Sequence, residues 1–159
     1  MLFLCFSSLV VYSQEPQAEI NGQVWRPFIK NFNELNTAGF MAVHSKDAVR
    51  SPRDSKTIWN WEEYNKNQTW GDQEEKKLNR KRLLELRFTE RIANGNLAFD
   101  VGVYKTAYIH PDGKIMNYYG RFHVVLKKES GVWKILVDTD SSENGAIGEK
   151  DFLAARAME

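Results

Sequence analysis

The stretch NLAFDVGVYKTAYI, residues 96–109, opens the part of the chain that decides the fold. Two runs of the same kind follow it, KIMNYYGRFHVVLKK at 114–128 and VWKILVDTDSS at 132–142. Each run is rich in β-branched and aromatic residues that alternate with polar ones, and HPDG and ESG separate them. Alternation with period two between turn-forming residues predicts an antiparallel meander of three strands.

The turns set a register for this meander. If residues 110–113 and 128–131 form the two turns, Asp100 lies opposite His123 and Tyr104 opposite Tyr119, while Arg121 lies opposite Asp138. Opposed residues share a face of the sheet, so the register predicts one polar and one apolar face. The predicted polar face holds Asp100, Tyr104, Tyr119, Arg121, His123 and Asp138. The predicted apolar face holds Leu97, Phe99, Val101, Val103, Phe122, Val124, Leu126, Trp133, Ile135 and Val137.

Helical signals precede the meander. Apolar residues recur at spacings of three and four over 20–35, which predicts an amphipathic helix that begins or bends near Pro27. A helical turn over 40–44 and a short strand over 47–50 follow. Ser55 is placed to cap a helix over 56–65, and the polar residues 65–79 read as a loop. Residues 81–92 fit either a strand or a helix, and Asn94-Gly95-Asn96 is a hairpin signal. This order of elements predicts an α+β fold.

The chain resembles the nuclear transport factor 2-like superfamily, including its SnoaL-like and ketosteroid-isomerase-like members. The resemblance is carried by FMAVHSKDAV at 40–49, after the first helix, and by GRFHVVL at 120–126 followed by GVWKI at 131–135. It covers roughly residues 20–142 and implies a strongly curved antiparallel sheet wrapped around N-terminal helices as a cone, a cystatin-like α+β barrel. The resemblance further implies a pocket at the open end and a homodimer through the outer sheet face. Members include isomerases, dehydratases, hydrolases and non-catalytic binders.

If the polar face lines the cone, Asp100 and His123 form a carboxylate–imidazole pair suited to proton transfer. Arg121 and Asp138 would contact polar groups of a small organic ligand, and Tyr104 and Tyr119 would offer it hydroxyls and ring faces. We also expect His44, Trp25 and Trp59 to contribute to the pocket. The competing interpretation makes this face a solvated surface whose charge pairs are ordinary cross-strand neighbours.

The ends of the chain frame one domain. Residues 1–13 are apolar without charge and resemble a secretory leader, so we expect an exported protein, although a buried N-terminal strand or helix fits the same run. The domain then spans 14–142, and 143–159 is a C-terminal tail with a short helix. Cys5 is the single cysteine and lies in the leader, so we expect no disulfide. The net charge of +1 gives no electrostatic case for nucleic acid, and we expect no membrane insertion once the leader is removed.

Three functional hypotheses follow from this sequence. The first is a domain that binds a small organic molecule in its cone without a cofactor. The second is a cofactor-independent acid/base enzyme of isomerase, lyase or hydrolase type that uses His123 and Asp100. The third is a dimeric protein-interaction module. The three histidines lack metal-ligand spacing, and no glycine-rich phosphate loop or Gly-x-Ser-x-Gly elbow occurs, so no metal or cofactor is expected.

Overall fold

The computed structural model describes residues 15–159, so the predicted leader at 1–13 lies outside the described residues. Its helices are α1 (Glu15–Ile20), α2 (Arg26–Asn33), α3 (Thr37–Met41), α4 (Trp61–Lys77) and α5 (Glu149–Ala154). Its strands are β1 (His44–Pro52), β2 (Lys81–Asn94), β3 (Leu97–Ile109), β4 (Ile115–Glu129), β5 (Val132–Ser141) and β6 (Arg156–Ala157). Within this range no helix is both long and apolar enough to cross a bilayer.

A single curved sheet organises the domain. Its strand order is β1-β5-β4-β3-β2-β6, and β1 is parallel to β5 while the other neighbours are antiparallel. The helices α1 to α4 cover its concave face, and the sheet does not close into a barrel. The predicted α+β fold, with a curved sheet around N-terminal helices, is therefore confirmed. Residues 81–92, which fitted two interpretations, belong to strand β2.

The first turn of the meander is a loop of three residues, 111–113, rather than the four predicted, because His110 still pairs with Lys114. The His110 N–H donates to the Lys114 carbonyl (2.9 Å), and the Gly113 N–H donates to the His110 carbonyl (2.9 Å). Gly113 adopts φ +85°, the left-handed conformation that closes a three-residue hairpin loop. The predicted register was therefore wrong by one residue: Asp100 lies opposite Val124, and Tyr104 lies opposite Gly120.

The second turn is shorter than predicted. Ser130 and Gly131 alone connect β4 and β5, with φ values of +48° and +83°. Positive φ at both positions is typical of the type I′ turn of tight hairpins. The predicted pairing of Arg121 with Asp138 was therefore wrong, and Arg121 lies opposite Ser141.

A β-bulge interrupts strand β5. Ile135 lies opposite Leu126, but Val137 lies opposite Val125, so Leu136 is an extra residue without a partner in β4. One extra residue moves every following side chain to the other face of the sheet. Trp133 and Ile135 therefore face the concave side, and beyond the bulge Asp138 and Asp140 do so in their place.

The true register redistributes the predicted faces. The concave face combines polar and apolar residues, because Asp100, Tyr104 and Asp138 share it with Phe122, Val124 and Leu126. The predicted polar-face members Tyr119, Arg121 and His123 instead lie on the convex face. They share that face with Phe99, Val101, Val103, Val125 and Val137.

The N-terminal helix is interrupted as Pro27 predicted. A π-helical turn over Asn21–Trp25 joins α1 to α2, and the Arg26 N–H donates to the Asn21 carbonyl. Pro27 stands in the first turn of α2, directly after the π turn, where the lack of an N–H and the clash of its ring with the preceding turn disturb a regular α-helix. The wider π turn directs the buried Trp25 ring onto the concave face, against Phe88 and Phe122 (ring centroids 5.7 Å from each).

The predictions for residues 56–79 were wrong. Instead of a helix over 56–65 and a loop, one helix, α4, covers Trp61–Lys77, and Asn60 before it forms a capping box with Glu63. Its buried face carries Tyr64, Asp72 and Glu75, so hydrophobic periodicity could not reveal the helix. Asp72 accepts hydrogen bonds from Thr37 (2.6 Å), Gln68 (2.8 Å) and Arg82, and so ties α4 to α3 and β2.

Residues 143–159 pack back onto the sheet. Ile147 and Phe152 contact the convex-face residues Val103 and Tyr119. Two residues of β6 then pair with Arg87 and Phe88 at the edge of β2. The predicted C-terminal tail thus covers one part of the convex face and leaves the rest open.

Replacement of Asp72 tests the attachment of α4. The Asp72 and Arg82 side chains are 2% and 4% exposed, so Asp72→Ala leaves a buried guanidinium without its partner. We expect a loss of about 3–5 kcal/mol in the free energy of unfolding, measured by urea denaturation. Glu74→Ala, which removes the exposed pair with Lys77 on the same helix, is the control and should cost less than about 0.5 kcal/mol. Equal effects of the two variants would contradict this role.

Candidate functional site

A cavity of about 620 Å³ lies between the concave face and the helices. This volume is within the range of small-molecule sites. Aromatic rings form a large part of its walls, among them Trp25, Phe28, Trp59, Tyr64, Tyr104 and Phe122 from different elements. Trp70 and Tyr118 also line it and are 65% and 49% exposed, which places them where the cavity meets solvent.

Two glycines shape the strand wall. A Cβ at Gly120 would lie within 2.6 Å of three atoms of the Tyr104 side chain, and a Cβ at Gly102 would clash with the Phe122 ring. The rings of Tyr104 and Phe122 therefore lie flat across the neighbouring strand, over a glycine in each case. Any larger residue at these positions would push the rings into the cavity.

Two carboxylates and a guanidinium form one polar part of the cavity. The bulge at Leu136 turns Asp138 and Asp140 inward, and Arg50 reaches both from the parallel strand β1. Arg50 Nη2 donates to Asp140 Oδ1 (2.8 Å), and Arg50 Nη1 lies 3.6 Å from Asp138 Oδ1. All three residues line the cavity. A polar ligand group could therefore reach a buried charge cluster through an aromatic chamber.

Asp138 has two further partners. The Tyr64 hydroxyl donates to Asp138 Oδ2 (2.8 Å), and His44 Nε2 lies 3.9 Å from the same oxygen. His44 Nδ1 is 3.0 Å from the Phe40 carbonyl, which can only accept, so Nδ1 carries a proton. Nε2 is buried and has no hydrogen-bond partner among the described residues.

The two carboxylates differ in their preference for a proton. Burial opposes ionisation of Asp138, but Arg50, His44 and Tyr64 outweigh it and hold its pKa at about 2. Burial raises the pKa of Asp140, and the Asp138 charge adds to that rise while Arg50 opposes it. Burial also raises the pKa of the Tyr64 and Tyr104 hydroxyls, so both stay protonated. The site thus pairs a firmly ionised carboxylate with one that accepts a proton more readily.

Comparison with solved structures identifies the architecture. An NTF-2-like protein of unknown function from Shewanella oneidensis has a TM-score of 0.63 at 16% identity, over 79% of this chain and 98% of that one. A ketosteroid isomerase-like protein from Erwinia carotovora atroseptica has a TM-score of 0.62 at 14% identity, over 81% and 97%. A protein with a cystatin-like fold from Caulobacter vibrioides has a TM-score of 0.60 at 17% identity, over 83% and 96%.

The chain has the nuclear transport factor 2-like fold. The resemblance predicted from the sequence is thus confirmed at the level of the fold. No protein-family model and no curated protein matches the chain. Sequence identities below one fifth leave the activity of a nuclear transport factor 2-like domain open, because this scaffold carries many functions.

Four predicted ligand contacts lie in the cavity of this fold. Trp25, Trp59, Tyr104 and Asp138 line it. His44 stands one layer behind, against Asp138. The prediction of these residues as a ligand site is therefore compatible with their positions.

The predicted pair of Asp100 and His123 is not formed. Asp100 is fully buried. Its carboxylate accepts one hydrogen bond from the Trp25 indole N–H (2.8 Å) and two from the Arg91 guanidinium (3.0 and 3.2 Å). His123 lies on the opposite face of the sheet, near Phe99. The one-residue difference in register separates them, so Asp100 anchors the N-terminal helix to the sheet.

Tyr119 and Arg121 also lie on the convex face, outside the cavity. Tyr119 packs against Phe152 of α5 (ring centroids 6.1 Å apart), and Arg121 pairs with Glu143 (3.1 Å). Both contacts attach the C-terminal segment to the sheet. The predicted contact of these two residues with a ligand in the cone was therefore wrong.

Sequence reasoning missed Arg50, Tyr64 and Asp140. The motif Asp138-Thr139-Asp140 has the alternation of a strand, so both carboxylates were bound to share a face. The face that they share depends on the bulge at Leu136, and the sequence around Leu136 contains no residue type that predicts a bulge. Arg50 comes from a strand distant in sequence, so its pairing could not be read from local pattern.

Replacement of Trp25 tests the anchor to Asp100. Trp25→Phe keeps an aromatic ring but removes the indole N–H, and the buried Asp100 carboxylate loses a donor. We expect a loss of about 1–3 kcal/mol in the free energy of unfolding, measured by urea denaturation. Trp70→Phe, at an exposed position, is the matched control and should change stability little. If both variants were equally stable, the anchor would contribute nothing.

Proposed function

We propose that this protein binds a small organic molecule in the cavity of its nuclear transport factor 2-like fold. The observation that carries the proposal is a chamber of about 620 Å³ with aromatic walls and a buried polar cluster on one side. Apolar walls with a few convergent polar groups are typical of small-molecule sites. The aromatic rings would hold the body of the ligand, and Asp138, Asp140 and Arg50 would orient its polar group. Export remains a prediction, because residues 1–14 lie outside the described range.

A second candidate function is cofactor-independent acid/base catalysis of isomerase, lyase or hydrolase type. It is favoured by the neighbouring carboxylates Asp138 and Asp140, whose environments move their pKa values in opposite directions. Such a division is how enzymes assign acid and base roles to two similar groups. Turnover that disappears in Asp138→Asn and Asp140→Asn, while the ligand still binds, would support catalysis over binding alone.

A blocked cavity tests ligand binding. Met116 faces the cavity and Asn117, the next residue of β4, faces away from it. We expect the neutral dye Nile red to bind the native protein with a blue-shifted emission. Met116→Trp should weaken this signal because the larger indole projects into the cavity and narrows it, whereas Asn117→Trp should retain it. Native mass spectrometry of protein from its own host should show a co-purifying small molecule lost in the same variant.

Two results would contradict the proposal. A native protein that binds neither the dye nor a co-purifying molecule would show that the cavity is not a ligand site. Equal dye binding by the Met116→Trp and Asn117→Trp variants would place the dye elsewhere on the surface.

A homodimer through the convex face is part of the proposal. One apolar row crosses five strands there, because Val49 lies opposite Val137, Val137 opposite Val125, Val125 opposite Phe99, and Phe99 opposite Ile92. Val49 and Ile92 at its ends are 39% and 53% exposed. An extended apolar row on a surface favours burial against a partner, and a second copy of the chain would present the same row.

A charge in the middle of the row tests the dimer. Val125→Lys should give a monomer in size-exclusion chromatography with light scattering, since burial of an unpaired ammonium in an apolar interface is costly. Asn117→Lys, on the same face and strand but outside the row, should leave the dimer intact. A native protein that is monomeric at all concentrations would refute the dimer and leave ligand binding untouched.

A further inference from the structure

The charges of the cavity are not balanced. The described residues that line it include three carboxylates, Asp138, Asp140 and Glu75, and two guanidiniums, Arg50 and Arg80. Arg80 is held by Glu75 through two hydrogen bonds (2.7 and 2.8 Å), so that pair neutralises itself. Arg50 faces both aspartates, whereas His44 stands behind Asp138 outside the lining, with its Nδ1 on the Phe40 carbonyl. The lining therefore holds one more carboxylate than guanidinium.

The uncompensated charge is located at Asp140. Arg50, Tyr64 and His44 surround Asp138, whereas the described residues give Asp140 a single side-chain donor, Arg50 Nη2 at 2.8 Å. A carboxylate accepts hydrogen bonds on both oxygens and at about four positions. Most of the accepting capacity of Asp140 is therefore free, and the Asp140 side chain is 25% exposed to the cavity.

The surrounding groups favour a cation. Trp59, Tyr64 and Tyr104 also line the cavity. Trp59 pairs with Arg50 through the backbone, Tyr64 donates to Asp138, and the Asp140 charge contributes to the raised pKa of Tyr104. The negative faces of aromatic rings attract positive charge. The guanidiniums of Arg50 and Arg80 already pair with carboxylates of the cavity. An anionic ligand would therefore lie near Asp138 and Asp140 without a free guanidinium to pair with. The rise in the pKa of Asp140 caused by burial and by Asp138 agrees with this shortage of positive charge.

We infer that the ligand of this cavity has an aromatic or similarly apolar skeleton and a protonated amine, and that Asp140 receives the amine. This inference rests on the proposed ligand-binding function and names its ligand class. The ammonium group donates to the free positions of Asp140, and a charge-assisted hydrogen bond is stronger than one between neutral groups. Carboxylates built on the same skeleton bind more weakly because they meet Asp138 and Asp140 as like charges.

Three indoles that differ in one group test the charge preference. Tryptamine, tryptophol and indole-3-acetate present an amine, a hydroxyl and a carboxylate on the same ring system. Isothermal titration calorimetry at about pH 8, above the ordinary titration range of histidine, should rank tryptamine first and tryptophol second. Indole-3-acetate should bind at least about tenfold more weakly than tryptamine.

A matched pair of variants assigns the preference to Asp140. Asp140→Asn keeps the shape of the side chain and removes its charge, so it should bring the affinities for tryptamine and tryptophol to within a factor of about two. Asp47→Asn removes an equal charge from the exposed surface of β1 and should leave the ranking unchanged. Circular dichroism confirms that both variants are folded.

The outcomes separate this inference from the proposal beneath it. Equal affinities for the three indoles, or a preference for indole-3-acetate, would overturn the inference and leave the cavity as a ligand site. Binding of Nile red without binding of any indole would also overturn it. If neither the dye nor any indole binds, the ligand-binding function itself is wrong.

Discussion

The cavity of this protein depends on one extra residue in strand β5. Side chains alternate between the faces of a strand, so the unpaired Leu136 reverses the direction of all that follows it. Trp133 and Ile135 enter the core before the bulge, and Asp138 and Asp140 enter the cavity after it. Without the bulge, the two carboxylates would lie on the convex face, and the concave side would be an apolar core of ordinary kind.

The rest of the domain accommodates these inward charges. Parallel pairing of β1 with β5 brings Arg50 to both aspartates, and α4 supplies the Tyr64 hydroxyl. Helix α4 is itself held by the buried Asp72 and Arg82 pair, and the N-terminal helix by the Trp25 and Asp100 hydrogen bond. A buried ion pair and a buried hydrogen bond thus position the two helices over the sheet, while Gly102 and Gly120 let aromatic rings lie flat along the strand wall.

The sequence predicted the elements of this fold better than their pairing. The meander, the break at Pro27 and the α+β order follow from alternation and turn residues, and the structure has all three. The register failed because it depends on turn length, and HPDG closes a three-residue loop where four residues were expected. That single difference separated His123 from Asp100. Helix α4 was not predicted because its buried face is polar. The inward direction of Asp140 depends on a bulge, and the position of Arg50 depends on a parallel pairing, and neither feature has a local sequence signal.

The most direct test of this account is a ¹³C NMR titration of the Asp138 and Asp140 carboxyl groups, assigned with the Asp138→Asn and Asp140→Asn variants. The account predicts that Asp140 takes up its proton first as the pH falls, above the ordinary value of 3.8. Asp138 should stay ionised until the pH approaches about 2. Two carboxyl groups that titrate together near their ordinary pKa would instead describe solvated residues, and would contradict the inward bulge on which the cavity and its ligand depend.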